Sequence, residues 1–135
     1  MTIIYIKYDG NNLKLLSNIK NLFPDSDNFL FRTSELSELR RVIKYGTDRG
    51  GYPFRLWEDG ITPFEDVIFG TTTQMIIDAE NDDKKSSSFK KIPLIQQTDI
   101  PIILIYDLNE FEMIADRQWK FKNSKIDSLK YIIFI

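Results

Sequence analysis

The chain opens on residues of strand type. Ile3, Ile4 and Ile6, beside Tyr5 and Tyr8, predict a β-strand over residues 3–8. Asp9-Gly10-Asn11-Asn12 interrupts it with turn formers. Leu13, Leu16, Ile19 and Leu22 then recur every three residues with polar residues mostly between them, which predicts an amphipathic helix ending before Pro24-Asp25. A short strand follows over 29–32, and Thr33 or Ser34 is placed to cap a second helix whose apolar face is Leu36, Leu39 and Ile43. Glu35 and Glu38 at its start, Arg40, Arg41 and Lys44 near its end, and Gly46 as a stop all suit a helix dipole.

Residues 47–63 are irregular, with Gly50, Gly51, Pro53, Gly60 and Pro63, yet carry Tyr52, Phe54 and Trp57. A long loop with aromatics packs down or covers something. Residues 67–69 predict a third strand, and Gly70-Thr71-Thr72-Thr73 leads into a helix over 74–80 with Met75, Ile76 and Ala79 on one face. Residues 81–91 hold acids, lysines and three serines and are expected to be a mobile loop. Residues 100–106 form the strongest strand, a continuous apolar run of the kind buried on both faces. A short helix is expected over 108–115, a half-buried strand over 118–121 and a last strand over 131–135. Helices concentrate early and strands late. The expected fold is therefore α+β: one domain, a mixed or antiparallel sheet and two to four helices.

Composition narrows the chemistry. The chain has 135 residues, 42% of them hydrophobic and 28% charged, the profile of an ordinary globular domain. Its apolar runs are of strand length, well short of the roughly 20 residues of a spanning helix, so no membrane association is expected. The first residues lack the basic and apolar regions of a signal peptide. With no Cys there is no disulfide and no thiolate, which fits a reducing, cytoplasmic setting. With no His there is no imidazole base and no Ser-His-Asp triad. Chemistry must then run on carboxylates, Lys, Arg, Tyr or hydroxyls. A net charge of −2 gives no strong nucleic-acid signal.

Three segments carry a resemblance. Phe29-Leu30-Phe31-Arg32-Thr33-Ser34 ahead of a helix, Asp66-Val67-Ile68-Phe69-Gly70-Thr71-Thr72-Thr73 running into a second helix, and the closing strands at 101–107, 118–121 and 129–133 stand in the order of the motifs of mono-ADP-ribosyltransferase-like domains. The likeness covers residues 29–135. It implies an ADP-ribosyltransferase-like fold and NAD as the bound substrate, in a bacterial or phage toxin or effector that modifies a protein target. It puts Arg32 and Thr33 at the NAD, Thr71, Thr72 and Thr73 in support, and Tyr52, Phe54 or Phe69 against the nicotinamide. Such chemistry needs a carboxylate to stabilise an oxocarbenium-like transition state, and an Arg as a forked donor. Where the family has its glutamate this chain has Gln118, a neutral amide; Asp116, Glu112 and Glu110 are the acids nearby. The resemblance thus implies NAD binding with weak or lost transferase activity.

Each residue also has a plainer role. Arg32 is a candidate surface ion pair, the threonines a helix cap and Trp119 a core residue. A non-catalytic protein-interaction module is the alternative function. A metal-dependent hydrolase built on Glu58-Asp59, Glu65-Asp66 and Asp82-Asp83 is the third, since Mg²⁺ favours oxygen ligands.

Overall fold

The computed structural model describes residues 2–36, 67–81, 100–122 and 129–135. Within them the chain is mixed α+β. The order is β1 (Thr2–Tyr5), α1 (Asn12–Leu22), a 3₁₀ turn (Ser26–Asn28), β2 (Phe29–Glu35), β3 (Val67–Phe69), β4 (Thr71–Thr72), α2 (Thr73–Asn81), β5 (Pro101–Asp107), a 3₁₀ turn (Leu108–Glu110), β6 (Phe111–Ala115), β7 (Gln118–Phe121) and β8 (Leu129–Phe134). Five strands form a mixed sheet in the order β1-β8-β5-β2-β4, and three form a small sheet in the order β3-β7-β6. β1 runs parallel to β8; the other pairings in the large sheet are antiparallel.

The centre of the large sheet follows from β5. Its residues Ile102 to Tyr106 are buried on both faces. Ile103 and Ile105 join Phe29, Phe31 and Ile133 under the helices, where Leu15, Leu16, Ile19 and Ile76 pack. Ile102, Leu104 and Tyr106 join Leu30 and Ile132 on the opposite face, covered by Ile68, Phe111 and Trp119 of the small sheet. The period-2 geometry of a strand splits one apolar run into two cores.

Several expectations need correction. β2 continues to Glu35, with Thr33 opposite Ile103 and Ser34 opposite Ile102, so the strand is longer than expected and takes in both residues. Their backbone is taken up by the seven-residue partner strand. A helix over 36–43 lies outside the described residues beyond Leu36, whose N–H donates to Ile100 O. α1 forms as predicted, but Leu13 and Leu22 are exposed and the buried positions are Asn12, Leu15, Leu16 and Ile19. A spacing of three slips behind a helical turn of about 3.6 residues, leaving Leu13 and Leu22 on opposite sides. The buried set has the i, i+3, i+4, i+7 spacing of one face. Residues 108–115 are a turn and a strand, not a helix, because Phe111 to Ala115 pair with β7. Tertiary pairing overrides the helix-forming Glu112, Met113 and Ala115 there. β1 ends at Tyr5, earlier than expected.

Tyr8 then serves another purpose. Its hydroxyl donates to Asn12 Oδ1 at 2.8 Å, and Asn12 Nδ2 donates to Glu80 Oε1 at 3.0 Å, which joins the start of α1 to the end of α2. Burial first, then the carboxylates of Glu80 and Asp9, push the Tyr8 hydroxyl above its ordinary 10.0. A neutral-form preference of this kind stabilises the fold below the unfolded pKa and is lost as pH rises through the folded one. Thermal melts of wild type are therefore expected to fall more steeply above about pH 10 than those of Tyr8→Phe. Parallel curves would show that Tyr8 is not the group responsible.

Candidate functional site

A cleft opens where the chain crosses between the two sheets. β3 belongs to the small sheet and β4 to the large one, and Gly70 alone separates them. A Cβ at Gly70 would stand 3.0 Å from Phe31 O and 3.0 Å from Leu30 Cδ1, so the crossing runs close against β2 and a side chain there would press its neighbours aside by a few tenths of an ångström. Gly70 N–H donates to Arg117 O at 2.9 Å, and Gly70 O accepts from Trp119 Nε1 at 3.0 Å. These bonds pin the crossing to the β6–β7 hairpin.

β4 pairs only with Leu30 and Phe31, so its ladder stops short of Arg32. The space beyond it is a cavity of about 210 Å³ lined by Phe31, Arg32, Thr33, Phe69, Gly70, Thr71 and Arg117. Arg32 Nη1 donates to Phe69 O at 3.0 Å, which holds its guanidinium at the wall. Phe69 is 42% exposed, which leaves part of its ring open to a flat ligand. Among the described residues two arginines and no acid line the cleft. Its charge favours an anion.

Four of the residues singled out from the sequence thus meet: Arg32, Thr33, Phe69 and Thr71. Others do not. Thr72 Oγ1 accepts from Met75 N–H as a helix cap, and Thr73 Oγ1 donates to Ser26 O in the interior. Both are held by α2 and its packing, and neither lines the cleft. Gln118 starts β7 opposite Phe69, next to the cleft residue Arg117. Asp116 is exposed in the hairpin turn, and Glu112 is exposed on β6 opposite Lys120. Neither acid lines the cavity. Trp119 is core, as its plainer reading had it. Tyr52 and Phe54 lie outside the described residues, as do the acidic pairs at 58–59, 65–66 and 82–83. Residues 82–91 of the expected mobile loop lie outside them too, and Asn81 is the last residue of α2.

Phe31, Gly70 and Arg117 were not singled out. A two-residue turn, Asp116-Arg117, is visible between alternating segments, but its placement against Gly70 is a tertiary fact. Among the described residues no group of three or more acids could hold a metal ion, and no helix is long and apolar enough to cross a membrane. No known protein family, curated protein or solved structure matches this chain.

Proposed function

We propose that the chain is an ADP-ribosyltransferase-like domain that binds NAD and turns it over weakly or not at all. The observation that carries this reading is the convergence of Arg32, Thr33, Phe69 and Thr71, drawn from two separated segments, on one cleft. A guanidinium serves the diphosphate or a ribose as a forked donor, hydroxyls serve the sugar, and an exposed ring serves the nicotinamide. Loss of turnover follows from Gln118. An amide beside the cleft offers a developing oxocarbenium no negative charge, and Asp116 and Glu112 are not among the lining residues.

Thermal melting with NAD tests it. A ligand selective for the native state adds about 2.7 kcal/mol at a hundredfold excess over its Kd. For a domain of this size that is a rise of roughly 8 to 15 °C. Arg32→Ala is expected to abolish the shift, and Gln118→Glu to create or raise NAD hydrolysis. An unmoved melting curve at saturating NAD, in wild type and in Gln118→Glu, would remove the proposal.

The alternative is a non-catalytic protein-interaction module. The exposure of Met113 (58%) and Ile114 (49%) on β6 favours it, since these are apolar residues in contact with water.

A further inference from the structure

We propose that Arg117 is a second binding residue, completing with Arg32 a two-arginine clamp for a diphosphate group. This rests on the NAD reading for the identity of the natural ligand, but the clamp itself stands on the cleft.

Two observations point to it independently. The first is location. Arg32 reaches the cleft from β2, and Arg117 reaches the same cleft from the β6–β7 turn. One lies in a strand of the large sheet and the other in the turn that joins two strands of the small one, so the two arginines border the cleft from different sheets. Asp116 lies 3.8 Å from Arg117 Nε, but its side chain is 80% exposed, where water screens the pair. Planar guanidiniums match the oxygens of phosphate groups in forked geometry.

The second observation is conformation. Arg117 has φ 57°, the only non-glycine residue with positive φ among those described. It is the second of the two turn residues between Ala115 and Gln118. A turn with positive φ at that place ordinarily takes Gly or Asn. An arginine there carries a backbone cost that glycine or asparagine would not. The turn is already tied by Gly70 N–H to the Arg117 carbonyl, a bond any residue would make. A strained residue on the lining of a cleft points to a functional position.

Size sets the ligand's scale. About 210 Å³ is below the ~300–1,000 Å³ of sites that enclose a whole small molecule. The described cleft takes one part of a dinucleotide, and its charge selects the diphosphate. The ring of Phe69 at the same cleft is then available to the flat group attached to it.

The test is a titration of the full chain with inorganic pyrophosphate, ADP-ribose and NAD, against sulfate at matched ionic strength, followed by calorimetry and thermal melting. Wild type is expected to bind pyrophosphate and ADP-ribose more tightly than sulfate. Arg117→Gly is expected to melt at or above the wild-type temperature, because glycine relieves the positive φ. It is expected to bind pyrophosphate about 10- to 100-fold more weakly, the loss that follows from removing a charged donor. Arg117→Asn, which also tolerates this conformation, is expected to show the same loss and covers the case in which the glycine variant does not fold. Pyrophosphate affinity unchanged in either variant, or no pyrophosphate binding by wild type, would overturn the clamp. NAD binding that ignores Arg117 would also overturn it while leaving the NAD reading intact. Arg117-dependent pyrophosphate binding without any response to NAD would support the clamp and remove that reading.

Discussion

Trp119→Ala is expected to lower the unfolding free energy by about 3–5 kcal/mol, measured by urea denaturation. Trp119 is 8% exposed and is the largest side chain that the small sheet contributes to the core shared with Leu30, Leu104 and Ile132. Truncation removes that apolar contact and leaves a cavity between the sheets. It also removes the indole donor from Gly70 O, a bond of 3.0 Å that is buried. A buried carbonyl that loses its donor adds about 1–3 kcal/mol within the total. Because the same glycine holds the cleft, the variant should lose ligand binding as well as stability. Trp119→Phe keeps most of the ring and loses only the donor, so it should fall between the two. A loss below about 1 kcal/mol for the alanine variant would mean that the small sheet is not packed on the large one as described.

Ile103→Ala is expected to cost about 2–5 kcal/mol, and Ile103→Val about 0.5–1.5 kcal/mol. Ile103 is fully buried in β5, between Thr33 on one neighbouring strand and Ile133 on the other. It faces Leu15, Leu16, Ile19 and Ile76 of the helices within one core cluster. A strand hydrogen-bonded on both sides cannot shift to refill the space, so most of the cavity should persist. The graded pair of substitutions separates packing from a general loss of β propensity, since valine is as good a strand former as isoleucine. A cost near that of an exposed site, within about 0.5 kcal/mol, would refute the central placement of β5. Unlike Trp119→Ala, this change leaves the hydrogen bonds of Gly70 untouched, although Thr33, its partner on β2, lines the cleft.

The outcome for the candidate site divides along physical lines. Arg32, Phe69 and Thr71 were legible because each sits beside a recognisable local signal, a short apolar strand followed by small polar residues. Thr72 and Thr73 shared that signal but are taken up by α2, which needs a cap at its start. Arg117 carried no such signal. A charged residue in a tight turn looks like ordinary solvent exposure, and its backbone conformation cannot be read from its identity.

By itself the sequence determined the elements whose hydrophobic period admits one answer. The unbroken run at residues 102–106 had to be a strand buried on both faces, and it is the centre of the large sheet. The apolar residues from Leu13 to Leu22 predicted a helix, and the structure adds that the turn former Asn11 caps it by accepting from Lys14 N–H. The absence of Cys and His settled which chemistries the chain lacks. Tertiary structure decided the rest. It extended β2 to Glu35 because β5 offered a full-length partner. It made residues 111–115 a strand because β7 lay alongside, where local propensity favoured a helix. It turned α1 so that Leu15, Leu16 and Ile19 face the sheet and Leu13 does not. It brought Arg32 and Arg117 to one cleft by carrying the chain from one sheet to the other through Gly70. Each of these depends on which segments meet in space, and a local pattern of residues does not name its partner.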